Sequence, residues 1–120
     1  MAKFVFSMQN ILSMKEKIEE QEKVEYSQAM MRLNQEREHY DSLVERQSMA
    51  EVELRNVMNE VLEVDVIRQK EDALEIIKMY VRQQEMVVLA CEEEVRQARE
   101  RLNEAMQERK IYEKLKEKAF

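Results

Sequence analysis

Hydrophobic residues recur along this chain at alternating intervals of three and four positions, over almost its whole length. In an α-helix this spacing places them on one narrow stripe, here called the seam, and two such seams pack together in a coiled coil. The first run of seam positions comprises Phe4, Met8, Ile11, Lys15, Ile18, Glu22, Tyr26, Ala29, Leu33, Glu36, Tyr40, Leu43, Gln47, Ala50, Leu54, Val57, Val61 and Val64. The second run comprises Ile67, Lys70, Leu74, Ile77, Val81, Gln84, Val88, Cys91, Val95, Ala98, Leu102, Ala105, Arg109, Tyr112, Lys116 and Ala119. Most of these positions are apolar, so the pattern predicts two long helices.

The pattern weakens once, near the middle of the chain, where Asn59 and Asp65 supply turn and helix-capping residues. We therefore expect helix one at about 4–58, a turn at about 59–65 with Glu63 or Asp65 capping the next helix, and helix two at about 66–118. Two nearly equal arms with a short connection favour an antiparallel hairpin that forms a single domain over 1–120. One unbroken helix of about 180 Å is the alternative, because the chain has no Gly or Pro to interrupt it.

The hairpin predicts a definite register between the two seams. Pairing positions whose numbers sum to about 123 sets Tyr26 near Ala98 and Ile18 near Ala105. Large side chains then face small ones, as knobs-into-holes packing prefers. The intervals around Glu22 and Tyr26 interrupt the heptad once, and we expect the supercoil to unwind locally there.

Composition narrows the class of protein. Charged residues make up 38% and aromatic residues only 6%, which is typical of a coiled coil rather than an α/β domain. A net charge of −6 argues against nucleic acid as a partner. No apolar run is long enough for an integral membrane segment, no signal-peptide core is present, and a single cysteine cannot form an internal disulfide. We expect a cytoplasmic protein that is monomeric on its own.

The charge is unevenly distributed along the chain. Residues 51–75 carry eight acidic and three basic side chains, whereas residues 109–118 carry five basic and two acidic ones. Residues 1–17 are also basic, with three lysines and one glutamate. In a hairpin both termini therefore share one basic end, and the tip is acidic.

The sequence gives little support for catalysis or for metal binding. Glu36 and His39 have the E-x-x-H spacing of half a di-iron site, but the chain has no second histidine to complete it. Without glycine there is no phosphate-binding loop, and a two-helix rod cannot gather a nucleophile with its partners. We expect no enzyme activity, no cofactor and no metal.

The N-terminal region has more large apolar residues than one seam can use, including Phe4, Phe6, Leu12 and Met14. Exposed apolar residues beside a basic helix end indicate a docking surface for another protein.

Two terminal motifs carry a family resemblance. The chain opens with FVFSMQNIL at 4–12 and KEKIEEQ at 15–21, and it closes with EAMQERKIYEKLKEKAF at 104–120. Their order, positions and content resemble FliJ proteins, components of the bacterial flagellar type III export apparatus involved in flagellum biogenesis and motility. Family members usually continue beyond the position of Phe120 with an acidic helical tail that is absent here.

The resemblance implies an antiparallel two-helix coiled coil similar to the central shaft of rotary ATPases. It implies that the end with both termini inserts into the hexameric ring of the flagellar export ATPase (FliI-type) and promotes its assembly. It also implies contact with the export gate protein (FlhA-type), escort of flagellar export chaperones, and peripheral association with the cytoplasmic side of the cell membrane. The implied ATPase-binding residues are Phe4, Phe6, Met8, Ile11, Leu12, Lys15, Arg109, Lys110, Lys114, Leu115 and Lys118.

For the export gate, the matching stretch is 73–77, and the resemblance implies Leu74 and Ile77 as binding residues. Ala73 stands where the family usually has an aromatic residue. Two other classes of protein stay open from sequence: a central-stalk or adaptor coiled coil of another type III secretion system or rotary ATPase, and a structural coiled coil that oligomerises along its seam.

Overall fold

The structure is a computed structural model that describes residues 2–60 and 63–119. It contains two helices, α1 (Ala2–Glu60) and α2 (Val64–Ala119), and no strand among the described residues. The prediction of an all-α fold with two long helices in an antiparallel hairpin is confirmed. Side-chain contacts between residues as far apart in sequence as Lys15 and Glu108 exclude the single unbroken helix.

The first helix ends at Glu60 and the second begins at Val64, and residues 61 and 62 of the predicted turn lie outside the described residues. Glu63 precedes α2, and its carbonyl oxygen accepts a hydrogen bond from the backbone N–H of Ile67 at 3.3 Å. Glu63 thus occupies the N-cap position. Asp65 lies in the first turn of α2, and Lys116 and Lys118 lie in the last, so these charges complement the helix dipole.

The chain divides into two compact units, and each contains a segment of both helices. Unit 1 comprises Met1–Arg32 and Glu92–Phe120, and unit 2 comprises Leu33–Cys91. The core residues of unit 1 are Met8, Leu12, Val95, Ala98 and Ala105. Those of unit 2 are Leu33, Leu43, Leu74 and Cys91.

Polar contacts between the helices confirm the predicted register. In unit 1, Lys15 pairs with Glu108 and Glu22 with Arg101, and the numbers of each pair sum to 123. In unit 2, Glu53 pairs with Lys70 at 2.5 Å, which also sums to 123. The antiparallel seams therefore face each other with the offset expected from sequence.

Gln84 is a buried polar residue in the seam of unit 2. Its side-chain amide donates hydrogen bonds to the backbone oxygen of Glu36 at 3.0 Å and to a carboxylate oxygen of the same residue at 2.5 Å. Among the described residues no buried side-chain polar atom lacks a hydrogen-bond partner. Because a buried amide is costly when unpaired, this contact makes other offsets between the helices unfavourable.

Candidate functional site at the terminal end of unit 1

The seam of α1 takes a different course near the N-terminus from the one predicted. A stripe of buried and half-buried residues runs there through 5, 8, 12, 15, 19, 22 and 26, with intervals of three and four and no interruption, and residues 11, 13 and 25 beside it are also half-buried. Leu12 is 4% exposed and Glu19 is 6% exposed, whereas Phe4 is 58% and Ile18 is 42% exposed. The predicted seam positions 4 and 18 and the predicted break of the heptad near Glu22 are therefore wrong, and Ile11 lies half-buried at the edge of the seam.

The seam follows this course near the N-terminus of α1 because an ion pair crosses it. Arg109 of α2 donates a hydrogen bond from Nε to the Glu19 carboxylate, and its Nη1 donates to Glu113 at 3.0 Å. Lys23 adds a second positive charge 3.6 Å from Glu19. The guanidinium of Arg109 lowers the pKa of Glu19 below its ordinary value, against the opposing effect of burial. A glutamate can thus occupy a core position that a hydrophobicity pattern assigns to Ile18.

Lys15 occupies the next seam position toward the N-terminus. Its ammonium donates to a Glu108 carboxylate oxygen at 2.8 Å and lies 5.5 Å from the centre of the Tyr112 ring. The hydrogen bond from Lys15 to Glu108 raises the pKa of the Lys15 ammonium. Lys15 and Arg109 are both used in contacts within the hairpin, as are the buried side chains of Met8 and Leu12.

Other residues of the predicted ATPase-binding set remain open to a partner. Phe6 is 68% exposed, and Ile11 is half-buried. On α2, Leu115 is exposed, and the exposed residues Lys110, Lys114 and Lys118 have no ion pair among the described residues. Unpaired lysines beside exposed apolar side chains form a surface suited to a partner with acidic and apolar groups.

The exposed apolar residues separate onto different flanks of unit 1. Phe4 and Phe6 are two positions apart, which rotates their side chains by about 200° around α1. Arg32 contacts Glu94 at 3.0 Å, and Glu25 contacts Arg101 at 3.9 Å. The residue numbers of both pairs sum to 126. These two ion pairs lie along one side of the hairpin, and they show which face of α1 borders α2 on that side.

By the same register Ile11 and Leu115, which also sum to 126, lie on that side. Phe4 and Ile18 lie seven positions from Ile11 and share its face of α1, while Met14 is four positions from Ile18 and Ile111 is four positions from Leu115, so both lie next to that face. We name this set the apolar flank. It consists of Phe4, Ile11, Met14, Ile18, Ile111 and Leu115.

Sequence reasoning missed Ile18 and Ile111 as surface residues, and it named Met14 as a surplus apolar residue without placing it in the ATPase-binding set. The available signal was a second three-four repeat on α1 at 4, 7, 11, 14 and 18, displaced from the true seam. Phe6 lies on the other side of α1 and is separated from the apolar flank.

The predicted gate-binding residues lie in unit 2, at the early part of α2. Leu74 is 7% exposed and faces the core, and Ile77 is half-buried. The exposed apolar residues of this stretch are instead Ile76, Met79 and Tyr80. A partner approaching this segment would contact these three residues before it reached Leu74.

Neither helix contains, within residues 2–60 and 63–119, a stretch long and apolar enough to cross a membrane. No group of three or more His, Cys, Asp or Glu residues in the same ranges could hold a metal ion. Cys91 is buried with a free thiol.

The antiparallel two-helix hairpin places this chain in the class of coiled-coil hairpin proteins, with an apolar flank and with lysines at its terminal end that have no ion pair among the described residues. The comparisons with known proteins identify the family within that class. The model of the family described as Flagellar FliJ protein matches residues 4–120. No curated protein and no solved structure matches the chain.

The chain belongs to the FliJ family, so the resemblance seen in the terminal motifs is confirmed. Membership makes it a component of the flagellar protein export apparatus, which takes part in flagellum biogenesis. The family is a non-catalytic structural or chaperone component, and its partners belong to the export apparatus.

Proposed function

We propose that this protein acts as a shaft and adaptor of the export apparatus. Its terminal end inserts into the hexameric ring of the flagellar export ATPase and promotes ring assembly, and the protein couples the ring to the export gate. The single observation that carries the proposal is the apolar flank with unpaired lysines beside it in unit 1. Apolar contact supplies the binding free energy, and the lysines orient the end toward acidic groups on the ring.

The ATPase-binding surface that we propose differs from the residue set implied by family resemblance. It retains Phe4, Ile11 and Leu115 from the apolar flank and Lys110 and Lys114 beside it. Lys118, seven positions from Ile111, adds a charge on the same face of α2, and Phe6 provides a contact on the other side of α1. Met8, Leu12, Lys15 and Arg109 support this surface by holding the two helices together.

We propose that the export gate protein contacts the early part of α2 through Ile76 and Met79. Leu74 and Ile77 then act by keeping α2 packed on α1 beneath that contact. Substituting Ile76 and Met79 with Ser should weaken binding of the gate protein's cytoplasmic domain. The same changes at Val52 and Met58, exposed apolar residues of α1 in unit 2, are the matched control.

The same adaptor role includes escort of export chaperones and peripheral association with the cytoplasmic side of the membrane, at the export apparatus. Both proposals rest on the family's place in the apparatus. A pull-down with the family's export chaperones tests the first. Fractionation of cells with and without the export gate tests the second.

The deciding experiment measures ATP hydrolysis by the cognate flagellar export ATPase with and without this protein. We expect stimulation by the native chain, and loss of most of it in Phe4→Ser with Leu115→Ser and in Lys110→Glu with Lys114→Glu. The matched controls are Val24→Ser with Met31→Ser, exposed apolar residues of α1 in unit 1, and Arg68→Glu with Arg82→Glu, exposed charges of α2 in unit 2.

Equal losses in the controls and the terminal variants would contradict an inserting terminal end. Absence of any stimulation by the native chain would favour an adaptor that acts only on chaperones or the gate. Circular dichroism of every variant establishes that the helices persist.

A further inference from the structure

A groove runs between α1 and α2 in unit 2, with a volume of about 380 Å³. It is lined by His39, Leu43, Arg46, Tyr80, Gln83, Gln84 and Val87. Leu43 and Gln84 are buried and form its floor. Tyr80 and Val87 present exposed apolar surface from α2, while His39 and Arg46 present polar groups from α1. The α2 wall therefore combines the apolar surface of Tyr80 and Val87 with the exposed amide of Gln83, and the α1 wall can donate hydrogen bonds.

The charge of this groove is opposite to that of the whole chain. The chain has a net charge of −6, yet none of the described residues that line the groove is acidic. The residues three and four positions from Arg46 are Ser42, Leu43, Met49 and Ala50, so no helical neighbour can pair with it. No ion pair of Arg46 is present among the residues that the structure describes.

His39 has an acidic helical neighbour in Glu36, three positions earlier. The Glu36 carboxylate, however, accepts a hydrogen bond from the Gln84 amide at 2.5 Å and faces the seam. His39 is exposed and has at least one ring N–H to donate. The α1 wall thus offers one unpaired guanidinium and one imidazole to a ligand.

The spacing within the groove indicates the shape of its ligand. His39 and Arg46 are seven positions apart, and so are Tyr80 and Val87. Seven residues make about two helical turns, or about 10.5 Å, in both walls. A helix lying along the groove presents one side chain every seven residues to the same side, so its repeat matches the two walls.

We propose that this groove binds an acidic amphipathic helix of a partner protein. Two carboxylates of that helix, seven residues apart, contact Arg46 and His39. Its apolar residues between them pack on Tyr80 and Val87, which gives a local three-helix arrangement. The groove shares no residue with the apolar flank, so this proposal stands independently of insertion into the ATPase ring.

The test uses a fluorescently labelled helical peptide of about 20 residues, a length at which an isolated helix can form in water. The peptide carries Glu at positions i and i+7 and Leu at i+3 and i+4. A second peptide has Lys in place of those two Glu residues. Fluorescence anisotropy with the full chain measures both affinities at low salt, where charge contacts are weakly screened.

We expect the Glu peptide to bind at least about tenfold more tightly than the Lys peptide, and Arg46→Glu to reverse that preference. Val87→Ser should weaken both peptides. The matched controls are Arg55→Glu, an exposed arginine of α1, and Leu89→Ser, an exposed apolar residue of α2, neither of which lines the groove. Both should bind the Glu peptide as the native chain does.

Three results would overturn the proposal. The first is no detectable binding of the Glu peptide, and the second is an equal loss in Arg46→Glu and Arg55→Glu, which would indicate unspecific attraction. The third is self-association of the native chain that Arg46→Glu abolishes, because the occupant would then be a second copy of this chain. Circular dichroism separates each of these results from unfolding.

Discussion

At the residue scale, the pair of Glu19 and Arg109 decides how the terminal part of unit 1 packs. Glu19 occupies a seam position with 7% of its side chain exposed, and Arg109 reaches it from the facing seam. A carboxylate at such a position is stable only when its charge is compensated. Because this pair lets Glu19 occupy the core position, Ile18 lies on the surface as part of the apolar flank.

The buried ion pair predicts that removing one partner destabilises the fold more than replacing both partners with apolar residues. Arg109→Ala leaves the Glu19 carboxylate without its main partner and should lower the midpoint of urea unfolding clearly. The double variant Glu19→Leu with Arg109→Leu should recover most of that loss, because apolar residues can replace a buried ion pair. A double variant as unstable as Arg109→Ala would contradict the account. Arg96→Ala, which changes an exposed arginine on the same helix, is the control.

The same pair predicts a dependence of stability on pH. Because Arg109 lowers the pKa of Glu19 in the folded protein, the ionised carboxylate stabilises the fold above its unfolded pKa of about 4.3. This contribution is lost as the pH falls through the lower folded pKa. Urea unfolding from pH 6 down to about pH 3 should therefore show a steeper loss for the native chain than for Glu19→Gln. Equal slopes in the two proteins would refute the role of Glu19.

At the element scale, the core between α1 and α2 includes small residues of α2 near large residues of α1. Ala98 is 1% exposed on α2. Tyr26 of α1 lies close to this part of α2, since its hydroxyl accepts a hydrogen bond from Arg99 at 3.4 Å. Alanine fits this fully buried position because it has no side chain beyond Cβ. An alanine at this position is thus a condition for the observed packing.

Enlarging that position should force the helices apart. We expect Ala98→Leu to reduce the free energy of unfolding by about 1–3 kcal/mol, the usual cost of overpacking. Ala90→Leu, at an exposed position of the same helix, should change it by less than about 0.5 kcal/mol. Chemical denaturation followed by circular dichroism measures both. An equal effect of the two substitutions would show that Ala98 has no special role in helix approach.

Truncating a large core residue should leave a cavity instead of overpacking the core. It should also lower the free energy of unfolding by more than Ala98→Leu does. Leu43 is buried in unit 2. Leu43→Ala should cost about 2–5 kcal/mol by leaving a cavity between the helices. Val44→Ala, at the exposed neighbouring position, serves as the control in the same denaturation experiment. A loss at Leu43 no greater than at Val44 would contradict its place in the core.

At the scale of the whole molecule, each seam is occupied by the other helix of the same chain. A coiled coil that is satisfied internally has no free seam with which to recruit a second copy. We therefore expect light scattering at micromolar concentration to give a mass near 14.6 kDa, that of one chain. A stable species of twice that mass would favour a structural coiled coil that oligomerises.

Much of this architecture follows from sequence, because coiled-coil packing depends on a short repeat. The alternation of three and four intervals, the absence of Gly and Pro, and the turn residues near the middle predicted two antiparallel helices and their register. The terminal motifs predicted the family, and the family model confirms it. These signals are local or periodic, so they can be read without knowing which side chains meet.

Tertiary structure alone decided which of two neighbouring stripes became the core at the N-terminus. Hydrophobicity favoured Ile11 and Ile18, but the facing helix presents Arg109, and its charge made Glu19 the better core residue. The same choice buried Leu12 and exposed Phe4. Charge compensation between residues 90 positions apart depends on the folded register, so a pattern read along one helix could not determine it.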